Sequence, residues 1–214
     1  MLKGKFITFE GPDGSGKTTQ IKLLHDLLKK NGYNCVCTRE PGGTKVGEKL
    51  RDILKDTSLN SKLSVQTEAL LLQTARAQHV YEVITPALKE GKFVLCDRYA
   101  DSSTAYQGIG RGLGKSVIEY LNNFSTSGLI PDLTFLLDLP PTKGLKRADD
   151  RENGEAKDRW EEQQIGFHEK IRRAFLTMAE ENKKRYRVVS ASDEIGKIHS
   201  NIVSIIQSEY GIFK

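Results

Sequence analysis

Cysteine is scarce in this sequence, with three thiols among 214 residues. An odd, sparse count excludes a disulfide framework. Cys35 and Cys37 are spaced C-x-C, which on a strand puts both on one face. No second Cys or His pair completes a zinc site, so these thiols, with Cys96, are expected to be buried and inert. Long apolar runs are missing too. No stretch of eighteen apolar residues exists, and no membrane span is expected. The first residues, Met1-Leu2-Lys3-Gly4-Lys5, lack the apolar stretch and small-residue cleavage site of a signal peptide, so a cytoplasmic location is expected. A guanine-reading N-K-x-D is absent, because Asn182-Lys183-Lys184-Arg185 lacks the aspartate. That lowers the expectation of a GTPase.

What is present is ordinary for a soluble globular protein: 37% apolar and 29% charged residues. Basic residues exceed acidic ones, 33 to 28, giving a net charge of +5. The excess could favour nucleic acid, but handling phosphate also requires local positive charge. No stable nucleic-acid partner is expected. The length suits one compact α/β domain, residues 1–214, with room for a small insertion.

Five short apolar runs predict strands at Lys5–Glu10, Asn34–Thr38, Phe93–Asp97, Leu133–Leu139 and Arg187–Ser190. Several are near-continuous, as parallel strands covered on both faces require. Helical spacing predicts helices at Lys17–Lys30, Val46–Asp56, Ser64–Leu88, Lys115–Asn123, Arg159–Asn182 and Ile195–Ser208. The alternation predicts a doubly wound, five-stranded parallel sheet flanked by helices, with ligands at the carboxyl ends of the strands. Residues 142–158 differ, being densely charged with a turn at Asn153-Gly154, and read as a surface lid. Lys143, Arg147 and Arg151 are spaced to share one helix face there. That stripe suits either an anionic ligand or a solvated face balanced by nearby acids.

Gly11-Pro12-Asp13-Gly14-Ser15-Gly16-Lys17-Thr18 fits G-x-x-x-x-G-K-[ST] between a predicted strand and a predicted helix. Glycines let backbone N–H groups converge on phosphate oxygens, and the helix N-terminus adds its positive dipole end. Lys17 is placed for the β and γ phosphates, and Thr18 for Mg²⁺. The motif predicts a P-loop NTPase fold with ATP-Mg²⁺ held by Gly11 to Thr18 and by Thr19 beyond it. Alone, it does not choose among kinases, GTPases and motor ATPases. A second strand ends in Asp97-Arg98-Tyr99. Asp97 there could hold Mg²⁺ through water and Arg98 could grip a phosphate; a surface ion pair is the plainer alternative.

The cradle, Arg39-Glu40-Pro41-Gly42-Gly43-Thr44, Asp97-Arg98-Tyr99, Ser102-Ser103-x-Ala105-Tyr106-Gln107-Gly108, Pro131-Asp132-Leu133 and the charged lid occur in one order. In this the sequence resembles the bacterial thymidylate kinase (dTMP kinase) family over nearly its whole length. The resemblance implies a nucleoside monophosphate kinase, ATP and dTMP as substrates, Mg²⁺ as cofactor and a homodimer. Its roles fall residue by residue. Asp13 would accept a hydrogen bond from the acceptor 3′-hydroxyl, and Arg51 and Arg98 would hold the acceptor phosphate. Arg76 would donate to the base, Ser103 and Gln107 would flank the pyrimidine, and Tyr106 would crowd the 2′ position. Glu40, Pro41, Ser102 and Asp158 complete the expected acceptor contacts. Leu72 stands where the family usually has a phenylalanine that stacks on thymine, which predicts an intact but softer base pocket. The cradle has no arginine, so the resemblance implies that a lid arginine, Arg151 with support from Arg147, reaches the transferring phosphoryl group.

Two rival readings stand beside this one: a kinase for another nucleoside monophosphate, and a P-loop module that switches partner binding. None of the four histidines has ligand spacing. His25 and His199 are expected at helix surfaces, and His79 and His168 near the site.

Overall fold

Runs such as Phe93-Val94-Leu95-Cys96 have no polar face to offer water, so they must be covered on both sides. The computed structural model, which describes residues 3–59, 62–149, 159–160 and 162–213, covers them in that way. Strands β1 (Lys5–Glu10), β2 (Cys35–Arg39), β3 (Phe93–Asp97), β4 (Leu133–Asp138) and β5 (Tyr186–Ser190) form a parallel sheet in the order β2-β3-β1-β4-β5. Helices α1 (Lys17–Lys30), α2 (Lys45–Lys55), α3 (Val65–His79), α4 (Thr85–Lys89), α5 (Ala100–Ser103), α6 (Lys115–Thr126), α7 (Pro141–Asp149), α8 (Ile165–Glu181) and α9 (Ile195–Tyr210) flank it.

Alternation along the strands divides the core. Ile7 and Phe9 of β1 pack with Leu24 and Leu28 of α1 and with Ile198, Ile202 and Ile206 of α9. Phe6 points the other way, toward Val80, Ile84 and Leu88. Leu136 and Tyr186 on that second face meet Ile171, Phe175 and Met178 of α8. No helix of the described residues is long and apolar enough to cross a membrane.

Three departures from the predicted elements have physical causes. The long Ser64–Leu88 helix widens into a π turn at Val80–Ile84 between α3 and α4. Pro86 follows one residue later; it has no N–H to give and its ring crowds the preceding turn. A second π turn, Thr104–Gly110, continues α5 through a Ser/Thr/Gly-rich stretch in which no helix was predicted. The helix expected from Arg159 starts only at Ile165, because Arg159 and Trp160 are drawn to Glu68 instead. The thiols also need correction. Cys96 is buried, but Cys37 is exposed and Cys35 half-buried, because β2 is an edge strand. His25 and His199 are both half-buried rather than at the surface.

The helix α7 rests directly on the phosphate cradle. A Cβ on Gly144 would lie 2.4 Å from the Asp13 carbonyl oxygen, and one on Gly14 would lie 2.2 Å from the Gly144 carbonyl. Gly144→Ala must therefore displace backbone, and we expect a loss of about 1–3 kcal/mol, the usual cost of overpacking. Gly196 in α9 has open space around it, so Gly196→Ala should be neutral or stabilising by up to about 1 kcal/mol. Urea unfolding of both variants checks the contrast.

Candidate active site

Parallel registration decides what meets what. Phe9 pairs with Asp97, and Asp97 pairs with Arg39, so β1, β3 and β2 end level with one another. The chain leaving each end is tied to its neighbour: Arg98 N–H donates to the Phe9 carbonyl at 2.9 Å, and Glu40 N–H to the Asp97 carbonyl at 2.9 Å. Three segments far apart in sequence thereby converge: the cradle, Asp97-Arg98-Tyr99, and Arg39-Glu40-Pro41.

In the cradle, Lys17 is buried and its ammonium donates to the carbonyls of Pro12 at 2.8 Å and Gly11 at 3.2 Å. Burial, with the nearby Arg98 charge, lowers its pKa to about 8. Anionic phosphate oxygens would reverse that effect. The Thr18 hydroxyl donates to Asp97 Oδ2 at 2.5 Å. This pair offers two hard oxygens at one point. Among the described residues no group of three or more His, Cys, Asp or Glu could hold a metal. A single carboxylate beside a hydroxyl fits Mg²⁺, which binds such sites mainly through phosphates and water.

Arg98 bridges the two halves. Its guanidinium donates to Asp13 Oδ1 at 2.6 Å and to Ser102 Oγ at 3.1 Å, and lies 5.2 Å from the centre of the Tyr106 ring. Tyr106 Oη donates to the other Asp13 oxygen at 3.2 Å. Burial pushes Asp13 up, but Arg98 and Lys17 outweigh it and hold the carboxyl at about 2. Beneath them, buried Glu10 accepts from Tyr99 N–H at 2.8 Å and from the Ser102 hydroxyl at 2.6 Å. Its burial, with the Asp101 charge, raises it to about 7.

The wall opposite the cradle is built around Arg76, only 2% exposed. Nε donates to Glu40 at 2.7 Å, one terminal nitrogen to Gln73 and Asn122, and the other to the Tyr99 carbonyl and Ser103 Oγ. All five donors are thus engaged internally. Glu40 also meets His79 Nδ1 at 3.0 Å, and Arg76 with His79 holds its carboxyl low despite burial. Gly43, at φ 79°, passes so close to His79 that a Cβ would lie 2.7 Å from its ring. That explains one glycine of the Arg39–Thr44 segment.

A cavity of about 410 Å³ runs between the two walls. Of the predicted residues, Asp13, Gly14, Gly16, Lys17, Thr18, Thr19 and Asp97 line it on the cradle side. Glu40, Pro41, Arg51, Leu72, Arg76, Arg98, Ser102, Ser103, Tyr106, Gln107 and Arg147 line the rest. Gly11, Pro12 and Ser15 do not line it. Arg151 and Asp158 lie outside the described residues. The structure adds Arg39, Lys55, Tyr99 and Trp160. Lys55 follows Arg51 by one helical turn, a spacing that could have exposed it. His168, as expected, lies near the site, close enough to influence Asp13.

The family model described as thymidylate kinase matches residues 9–202. The chain is 47% identical over 206 residues to a thymidylate kinase of Thermoanaerobacter sp. (strain X514), covering 96% of this chain and 98% of that one. It is 46% identical to one from Geotalea uraniireducens (strain Rf4), covering 95% and 96% respectively. A crystal structure of thymidylate kinase from Ehrlichia chaffeensis superposes with a TM-score of 0.77 at 34% identity, covering 95% of this chain and 99% of that one.

Glu10 yields a pH prediction. Its folded value, about 7, lies above the ordinary 4.5. Folding therefore retains a proton that the unfolded chain has lost, a contribution fully present below about pH 4.5 and lost as pH rises through 7. From pH 5 to 8 it should cost about 3 kcal/mol of stability. Glu10→Gln should flatten that slope, measured by urea unfolding at both pH values.

Proposed function

The chain belongs to the thymidylate kinase family and phosphorylates dTMP to dTDP with ATP, and from that premise we propose how its residues divide the work. The observation that supports the division is the single cavity shared by the Lys17 cradle and the Arg98–Asp13–Tyr106 cluster. Transfer is direct and in line, with donor and acceptor phosphates meeting between Lys17 and Arg98. The attacking oxygen belongs to an already ionised phosphate, so no base is required. Lys17 and the cradle from Gly11 to Thr19 hold ATP, through every backbone N–H of that stretch except at Pro12, which has none. Thr18 and Asp97 would hold Mg²⁺, which supplies charge neutralisation on the phosphate oxygens.

On the acceptor side, Arg98 and Arg51 take the dTMP phosphate, and Asp13 takes the 3′-hydroxyl. Arg51 donates to the Pro41 carbonyl at 2.8 Å, which fixes its approach. Tyr106 is 6% exposed and bonded to Asp13, and this fixed ring is the group proposed to exclude a 2′-hydroxyl. Ser103 and Gln107 face the pyrimidine. Because every Arg76 donor is engaged, its contact with the base exchanges one internal partner for the ligand. Arg151 is the proposed cation at the transferring group. Arg147 supports it from the cavity wall, where it donates to the Ala191 carbonyl at 2.9 Å. The whole is one nucleoside monophosphate kinase domain with a lid at about 142–158, acting in the cytoplasm.

The proposed partner is a second copy of the chain. Leu70 of α3, Ile53 of α2, and Val117, Tyr120 and Phe124 of α6 are large apolar side chains left exposed, the last two above 70%. The three helices pack side by side. Large apolar side chains left exposed on neighbouring helices support an interface there.

Two measurements test these readings. In a coupled ADP-release assay across nucleoside monophosphates, dTMP should be the preferred acceptor, and ADP release without an acceptor should be slow. Arg98→Ala should lower kcat/KM by about 10²–10³-fold, as expected for losing one charge-stabilising donor. A different preferred monophosphate would overturn the specificity; brisk acceptor-free turnover would favour the switch module. Separately, Tyr120→Asp with Phe124→Asp should convert a dimer to a monomer in sedimentation velocity, with helical content unchanged.

A further inference from the structure

The chain contains one tryptophan, and it lines the active-site cavity. The body of Trp160 packs on the cluster that includes Tyr106 and Phe175. Its indole N–H donates to Glu68 Oε1 at 3.2 Å. That same oxygen accepts from Gln107 Nε2 at 2.8 Å, and the other carboxylate oxygen accepts from Arg159 at 3.4 Å. Glu68 is 1% exposed. It sits one helical turn before Leu72 and two before Arg76, so the three share a face of α3. A buried carboxylate thus holds the indole beside Gln107, at the end of the cavity that Leu72 and Arg76 define.

Leu72 gives that end of the cavity an aliphatic surface only. Tryptophan offers a large aromatic surface with two side-chain torsions, both restrained here by packing and by the bond to Glu68. We propose that Trp160 supplies the aromatic contact to the acceptor's nucleobase that Leu72 does not, and that Glu68 is the positioning residue that aims it. The inference rests on the dTMP kinase reading and deepens its account of specificity.

Because Trp160 is the sole tryptophan, its emission reports the contact without turnover. Titrating dTMP alone into the full chain should change the emission along the same binding curve that calorimetry gives. Trp160→Leu should weaken dTMP binding by about 5- to 150-fold, the range for losing one base–aromatic stack, with kcat within about threefold. Trp160→Phe, which keeps a ring but loses the N–H, should stay near wild type. Leu72→Phe should tighten binding more in the Trp160→Leu background than in wild type, since the two rings substitute for each other. Calorimetric binding with unchanged emission overturns the proposal. So does a Phe variant as weak as the Leu variant, which would reduce Trp160 to an anchor on Glu68. A wild-type chain that fails to bind dTMP overturns both this inference and the kinase reading; normal dTMP turnover with either of the first two results overturns this inference alone.

Discussion

A guanidinium buried to 2% exposure governs the half of the cavity that faces the cradle. Taking such a charge out of water costs several kcal/mol, repaid only by a partner charge and full hydrogen bonding. Arg76 meets both conditions. Glu40 supplies the opposite charge, and Gln73, Asn122, the Tyr99 carbonyl and Ser103 accept the remaining donors. These partners come from the loop after β2, from α3, from α6, and from the chain leaving β3. Asn122 then reaches the Ala100 carbonyl and Thr104, and Glu40 reaches His79. One charge therefore fixes the mutual position of these four segments, and a shift in any of them would leave a buried donor unmet.

That rigidity bears on Arg98, two residues after Cys96 and directly before the Tyr99 carbonyl that Arg76 holds. Arg98 adopts φ 65°, the left-handed region that costs a non-glycine residue about 1–2 kcal/mol. The cost is sustained from both sides: its N–H bonds to Phe9 and its guanidinium to Asp13. The turn carries Arg98 back over the cradle rather than along the strand axis. The proposed phosphate grip thus depends on backbone geometry that the Arg76 network keeps in place.

The central strands were legible because burial on both faces leaves an apolar signature: Lys5–Glu10 and Phe93–Asp97 appear at the predicted bounds. The cradle was legible because its residues, their spacing and its strand–turn–helix setting are all local. The two π turns were not, since Pro86 signals a break without specifying its form, and Ser/Thr/Gly-rich residues resemble a loop. Partners across long separations were also hidden. Nothing in the pattern pairs Arg76 with Glu40, 36 residues away, or Trp160 with Glu68, 92 away. The sequence showed Leu72 as a departure, but only the fold brings Trp160 to the same cavity.

The electrostatics of Asp13 limit what it can do. Its carboxyl, held at about 2 by Arg98 and Lys17 against burial, stays ionised at any working pH. A general base serves best with a pKa near the operating pH, and Asp13 is far from that. Both its oxygens are also occupied, one by Arg98 and one by Tyr106. Its chemistry is that of a fixed anion: it orients Arg98 and Tyr106, and offers its remaining lone pairs to a hydroxyl donor. A phosphate acceptor needs no more, since the proton has already left the attacking oxygen. An anion fixed in this way orients its neighbours without taking a proton, and that suits transfer between two phosphates better than transfer to water.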